Sequence, residues 1–434
     1  MKKGFDFCLS RLSHGLACPK GHLVVLVLLY LLLFEEYYRF VYRNYFNIMD
    51  FHCDFAPITI LVGVGFFLSL LGVMFFLKPD NGRLYTLGIL VAILFCLPQI
   101  VMFQIGTTTV WGPVFSLLLL FLITTPWLRF PAIRPPKLPS RLQQWLLPAV
   151  VLLFMLPMFA TFGIPSDLSV FALNGHNYEV RQATLSQGNL LTNYLQGPLC
   201  NVLLPLLIVY GLSRPRQRWY LVLLGIVLML YLFLVNPAKT ILFSIAVVLV
   251  CFLFKDCFAK AGLFVYGILA LCAAAVILNL LTGNLMVESV IVRRLFFIPV
   301  LVSDAYFSFF DHAQVYLSHS FLGAFSQYPY PAEPSHLIGQ MMYGRDTINC
   351  NTGIIADGFM NFGLLGSLLF VVLGACVVRL IDAADYDSRF IGLTVLLIIN
   401  FLNSALFTCL LTHGGIVLIL AMLFLVPRKE ESSC

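Results

Sequence analysis

LYTLGILVAILFCLPQIVMF, residues 84–103, runs for twenty residues without a charged side chain. About 20 apolar residues, coiled as an α-helix, cross the hydrocarbon core of a bilayer. The stretch therefore predicts a transmembrane helix, and it has company. Uncharged runs that span, or nearly span, also cover 21–34, 55–77, 110–128, 145–163, 195–213, 219–235, 240–254, 261–281, 353–378, 390–411 and 413–426. The expected fold is all-α, a single polytopic membrane domain over 1–434 with about twelve spans. The first run follows Lys2, Lys3, Arg11 and Lys20 and could imitate a signal peptide. No small-residue cleavage site comes after it, so a retained helix is expected.

Composition agrees. The 434 residues are 60% hydrophobic and 11% charged, whereas a soluble domain is about 45–50% apolar and about 25% charged. The twelve cysteines show no CxxC spacing, and Cys96, Cys251, Cys272 and Cys376 sit in apolar runs as small hydrophobes. Cys53 and Cys350 fall in loops of one side; topology permits a pair, though no spacing supports it.

The net charge of +6 lies in loops and speaks to topology rather than to nucleic acid. With both termini in the cytoplasm, the inner loops hold nineteen Lys and Arg and the outer side seven: Arg39, Arg43, Arg181, Lys239, Arg293, Arg294 and Arg345. That is the bias the positive-inside rule expects for twelve spans. Two outer loops are long, 164–194 and 282–352, and loops of that size usually carry function. The second precedes the tenth span. It opens amphipathically with MVESVIVRRLFFIPV, then turns irregular in QYPYPAEPSHLIGQMMYGRDTINCN.

The outer cations run against the insertion bias. Arg39 and Arg43 have acidic neighbours and read as a solvated helix end, with Glu35 and Arg39 paired at i,i+4. Arg345 precedes Asp346 in a polar loop. Arg293 and Arg294 differ: their helical neighbours Ser289, Val290, Ile291, Phe296, Phe297 and Ile298 include no acid. They either snorkel to lipid phosphates or meet a diphosphate, which guanidinium grips in a bidentate way. Arg181 sits in NGHNYEVRQATLSQGN, and Lys239 follows Asn236-Pro237 at an outer tip. These four cations come from three segments of one face, and a shared anionic ligand would account for them.

Asp357 opens an apolar helix, where a carboxylate is expensive. Asn361 lies one turn on, sharing its face, and Gly363 and Ser367 form a small-xxx-small pair for close helix packing. Of the outer histidines, His319 in YLSHSF has the best local setting for a general base, ahead of Glu333. There is no GxxxxGK[ST], GxSxG, HExxH or aspartate pair of the nucleotide-sugar type, so neither a cofactor nor a metal is indicated.

In order along the chain, YEVR, NPAKTILF, VRRLFFIPV, SHS and NTGIIADGFMNFGLLG resemble the Wzy family of bacterial O-antigen and oligosaccharide repeat-unit polymerases, over about residues 175–378. The resemblance implies a GT-C-like inner-membrane glycosyltransferase of lipopolysaccharide biosynthesis, related to O-antigen ligases. It implies transfer, on the periplasmic side, of a growing glycan from undecaprenyl diphosphate to the next lipid-linked repeat. It further implies phosphate-binding roles for Arg181, Lys239 and Arg293 or Arg294, a catalytic role for His319, near where the ligases place a functional histidine, and a chain-length regulator and a flippase as partners; Asp357, the costly carboxylate, is the second catalytic candidate. The His-Asn spacing usual in the ligases is missing here. Two rival readings remain. A transporter or flippase shares the twelve-span plan, yet no parallel halves are visible. A membrane O-acyltransferase would want a histidine deep in a span.

Overall fold

The computed structural model describes residues 11–47, 49, 51–76, 82–136, 138–165, 176–213, 215–320, 323 and 327–428. Lys2, Lys3, Lys78, Lys137, Arg214 and Lys429 of the charge count, with 166–175 of the first long loop and 321, 322 and 324–326 of the second, lie outside them. The described residues are helical, with no strand among them beyond an isolated bridge of Tyr386 to Arg428. That is the expected outcome where lipid offers the backbone no hydrogen bonds.

Among the described residues, eight helices are long and apolar enough to cross a membrane: Pro57–Phe76, Gly82–Gln104, Leu142–Phe162, Leu190–Ser213, Arg218–Val235, Cys257–Thr282, Ile354–Ala383 and Leu406–Phe424. Trp111–Thr124, Lys239–Leu253 and Ser388–Asn403 are apolar but shorter. Pro19–Glu36, from the first run, carries Lys20, Glu35 and Glu36 at its ends. The chain is a polytopic, membrane-embedded helical protein.

By contacts the chain divides into two compact units. The first comprises Met1–Arg129, Asp256–Arg379 and Ile398–Leu406; the second comprises Phe130–Lys255, Leu380–Leu397 and Phe407–Cys434. In the first, every residue from Leu84 to Ile105 is buried. The opening stretch is thus apolar on all faces because other helices, rather than lipid, surround it. Its few polar groups are matched: Tyr30 donates to Gln104 Oε1 at 2.8 Å. Gly63 and Gly112 leave room for the side chains of Gln104 and Gln99, where a Cβ would collide, the use of small residues expected of packed membrane helices. A π-helical turn at Ala92–Cys96 precedes Pro98, whose missing N–H interrupts the regular ladder. In the second unit, Gly211 and Gly225 let the helices Leu204–Ser213 and Pro215–Val235 approach each other, and Tyr210 donates to Gln143 Oε1 at 2.8 Å.

The Ile354–Ala383 helix is broken. Phe362 (φ −144°, ψ 24°) and Gly363 (φ 62°, ψ −150°) leave the helical region. Ser367 Oγ donates to Ile355 O at 2.8 Å, although twelve residues of straight helix would put them about 18 Å apart. The first half, 354–361, is therefore folded back on the second and wholly buried, the setting that irregular backbone requires within a membrane protein. Gly363 is the hinge rather than half of a packing pair with Ser367. The close approach belongs to Gly358 and Gly366, where a Cβ on either would run into the other's carbonyl. Gly366→Ala is expected to cost about 1–3 kcal/mol by overpacking, read as a lowered melting temperature of the solubilised chain. An unchanged melt would contradict the fold-back.

Three further points gain detail. The final two apolar runs part at 411–414, between Leu406–Leu410 and Gly415–Phe424, and the chain also leaves the helix at Ser404 and Ala405, between Ile391–Asn403 and Leu406–Leu410. Cys53 and Cys350 are free thiols, so that pair does not form. Arg39 bonds Glu36 and Glu288, rather than Glu35, and is no solvated helix end.

Candidate functional site

In the first unit, most of the 282–352 segment packs as helix. The Cys257–Thr282 helix ends at Gly283 in the left-handed region, which glycine takes without strain. Asn284 then caps Leu285–Glu288 by accepting from Met286 N. The chain continues without a break through a π-helical stretch, Ser289–Phe297, into Ile298–Phe309. Widened turns of this kind are frequent at functional sites. Val292, Phe296 and Phe297 face inward, Arg293 is half-buried and Arg294 is exposed.

Arg293 is held from three sides. Its Nε donates to Ser289 Oγ at 2.9 Å, its Nη1 approaches Met49 Sδ at 3.3 Å, and its guanidinium lies over the Tyr45 ring at 4.2 Å. Both arginines also act electrostatically on Tyr343, at the end of the Pro334–Tyr343 helix. Burial pushes that phenol up, and the two guanidiniums pull it partly back. No carboxylate pairs with either guanidinium among the described residues. Met49 also lines a cleft of about 490 Å³ with Phe46, Thr107, Leu301, Asp304 and Met341.

Five residues before Arg293 lies a feature that spacing did not reveal. Glu288 is fully buried and Glu36 nearly so. Arg39 forks onto Glu36 at 2.7–3.1 Å and reaches Glu288 Oε1 at 2.6 Å, while Asn279 donates to Glu288 Oε2. Two carboxylates thus share one guanidinium, and the cluster ties the first helix to the root of the arginine-bearing stretch. The available signal was Glu288 itself, an acid inside an apolar run.

Beyond Phe309 the chain leaves the helix and turns at Tyr316 and Leu317, both left-handed (φ 49° and 61°). Neither is glycine, so the turn is strained. Three successive amides point one way: Val315 N to Met360 O at 2.9 Å, Tyr316 N to Asn361 O at 3.2 Å, and Leu317 N to Asn361 Oδ1 at 2.8 Å. The first two satisfy backbone carbonyls that the break at Phe362 and Gly363 sets free, and the third engages the Asn361 side chain. Ser318 and Ser320 complete the turn through Val315 O and Leu317 O. His319 lies between them. Its Nδ1 is buried and has no hydrogen-bond partner among the described residues, an exception that calls for an explanation. Its ring lies 6.3 Å from Tyr328. Burial pushes the imidazole below its ordinary value, so it is neutral at pH 7. Tyr328 and Tyr330 are pinned to Ala332 O and Ala313 O at 2.6 and 2.9 Å.

Asp357 is buried, with both oxygens engaged. Oδ1 accepts from Asn361 Nδ2 at 3.0 Å, and Oδ2 accepts from Leu406 N at 2.8 Å. That second bond caps the helix restarting after Ser404 and Ala405, and it supplies the reason the buried carboxylate needed.

The second unit holds the other two cations. Arg181 is exposed on the His176–Gln187 helix, and Thr184 of that helix donates to Val235 O. Lys239 is exposed and opens the Lys239–Leu253 helix, four residues past Val235. The segments carrying Arg181 and Lys239 are thereby joined. Just before Lys239, Asn236 keeps a buried Oδ1 without a partner among the described residues. Of the expected site residues, Arg293, Arg294, His319 and Asp357 belong to the first unit, and Arg181 and Lys239 to the second. No group of three or more His, Cys, Asp or Glu suited to a metal occurs among the described residues. Set against protein-family models, curated proteins and solved structures, the chain matches none of them.

Proposed function

We propose that this chain is a membrane glycosyltransferase that polymerises oligosaccharide repeats carried on undecaprenyl diphosphate. In this reading it is a GT-C-like protein of about twelve spans in the bacterial inner membrane, with both termini cytoplasmic and its site on the periplasmic side. It works with a flippase and a chain-length regulator. The observation that carries the reading is His319: a neutral imidazole with an unpaired, buried nitrogen on a strained turn, in the same compact unit as a cation held without a carboxylate partner.

The chemistry follows. The acceptor hydroxyl attacks the anomeric carbon of the lipid-linked glycan, the C1–O bond to diphosphate breaks, and the lipid diphosphate leaves with the electron pair. His319 takes the hydroxyl proton as the new glycosidic bond forms. Arg293 meets the negative charge growing on the diphosphate. No nucleotide is consumed, because the lipid diphosphate is the activated leaving group.

The test is a lipopolysaccharide ladder from a strain lacking the chain, complemented at matched expression. Arg293→Ala is expected to lose transfer by about 10²-fold, as for removal of one preorganised donor, and Arg293→Lys not to restore it, because an ammonium lacks the fork. Arg294→Ala, at an exposed site, is expected to stay within a few-fold. A single repeat kept on the lipid core marks a polymerase. Loss of that repeat too, with lipid-linked material accumulating, would replace the proposal with a ligase, or with a flippase if the material stays on the inner leaflet.

A further inference from the structure

We infer that Asp357 and Asn361 are positioning residues for His319: they form a relay that builds the turn carrying the imidazole and do not themselves meet substrate. The inference rests on the reading of His319 as the general base.

The relay is directional. Leu406 N–H donates to Asp357 Oδ2 at 2.8 Å, and Asn361 Nδ2 donates to Asp357 Oδ1 at 3.0 Å. Asn361 Nδ2 also donates to Asp357 O at 2.8 Å. With its nitrogen committed to Asp357, the Asn361 amide can present only its oxygen to the turn. That oxygen accepts from Leu317 N at 2.8 Å. An amide flipped the other way would set two donors, Asn361 Nδ2 and Leu317 N–H, against each other. Asp357 therefore fixes the orientation of Asn361, and Asn361 fixes Leu317.

The fixed residue is a strained one. Tyr316 and Leu317 both lie in the left-handed region, which costs about 1–2 kcal/mol for a residue with a Cβ. Such a turn persists only where its surroundings over-determine it. Here the surroundings are three amide bonds to Met360 and Asn361, all at the broken end of the 354–361 half-helix. His319 follows Leu317 by two residues and has no hydrogen bond of its own at Nδ1 to orient it. Its aim is inherited from the backbone beneath it. Both members of the relay are buried, Asn361 completely, and each Asp357 oxygen already accepts a hydrogen bond within the fold.

The experiment uses the full chain in lipid nanodiscs. The rate of diethyl pyrocarbonate modification at His319 is followed by peptide mass spectrometry, beside the polymer ladder in cells. Asp357→Asn removes one of two needed acceptors, and Asn361→Asp removes the donor and sets two carboxylates together. Each is expected to change the His319 modification rate by about fivefold or more, the factor by which loss of a buried hydrogen bond shifts a local equilibrium, and to weaken the ladder. The double variant Asp357→Asn/Asn361→Asp rebuilds the relay in reverse: Asn at 357 accepts from Leu406 N and donates to Asp at 361, which accepts from Leu317 N. It is expected to recover both the wild-type rate and the ladder. Single variants with an unchanged rate, or a double variant no better than the singles in rate, overturn the relay, and the second criterion holds even if the singles fold poorly. A double variant that recovers the rate but not the ladder makes Asp357 catalytic and also overturns it. Failure of the base reading is separate: His319→Ala would keep its ladder while the modification rates still followed the relay.

Discussion

His319→Ala lowers transfer at pH 7 by about 10²–10⁴-fold, the contribution of a positioned general base, with substrate binding little changed. The expectation comes from the setting of the imidazole. A base must be neutral to act, and burial holds His319 below its ordinary value of about 6.5. Activity should therefore be flat through neutral pH and fall only on acidification below that ordinary value. The folded state binds this proton less readily than the unfolded chain. Stability is accordingly full above about 6.5 and is lost as pH falls from there through the lowered folded-state value. Rates of polymer formation by purified protein, followed from about pH 5 to pH 8 with the variant alongside, check both points. A variant that still polymerises at the wild-type rate removes His319 from the chemistry. A profile that breaks above neutrality would mean that a different group titrates.

The helices were legible because apolar length alone writes them, and the run at 84–103 is the clearest case. The sequence could not say that this run faces protein on every side, since lipid and protein select the same side chains. The break at Phe362 and Gly363 was hidden for a related reason. Glycines and serine in GFMNFGLLGS suit a packing face, and only the backbone reveals that Gly363 turns while Gly358 and Gly366 touch. Asp357 was conspicuous as a buried acid beside Asn361, but its other partner, Leu406, and the partner of the Asn361 oxygen, Leu317, are backbone amides, invisible to any side-chain pattern. Glu288 had no acceptable partner within helical reach, because its partner Arg39 is 249 residues away. Local spacing assigned Arg39 to Glu35, one residue from the Glu36 that the fold selects.

Arg39→Ala unfolds the first unit more readily, by about 3 kcal/mol. Breaking a buried ion pair from one side costs about 3–5 kcal/mol, because a charge is left without compensation. The lower end applies here, since the Arg39 side chain keeps 28% of its surface open to solvent, against 4% and 0% for Glu36 and Glu288. Deleting the guanidinium leaves two carboxylates facing each other, with Asn279 their remaining donor among the described residues. Arg39→Lys should fall between, keeping the charge without the fork that grips Glu36 through two nitrogens. Adding Glu288→Gln to Arg39→Ala should recover part of the loss, because an amide needs no counter-charge. Thermal melting of the four chains in one detergent ranks them. If Arg39→Ala melts with the wild type, the cluster behaves as a solvated surface group and the buried pairing is refuted. The same variant carries a consequence for function. Glu288 lies in the continuous helical stretch that holds Arg293 over Tyr45, so releasing Glu288 loosens the guanidinium that we propose meets the diphosphate. Arg39→Ala should therefore lose polymer at temperatures where it is still folded, and Arg39→Ala/Glu288→Gln should regain fold before it regains activity.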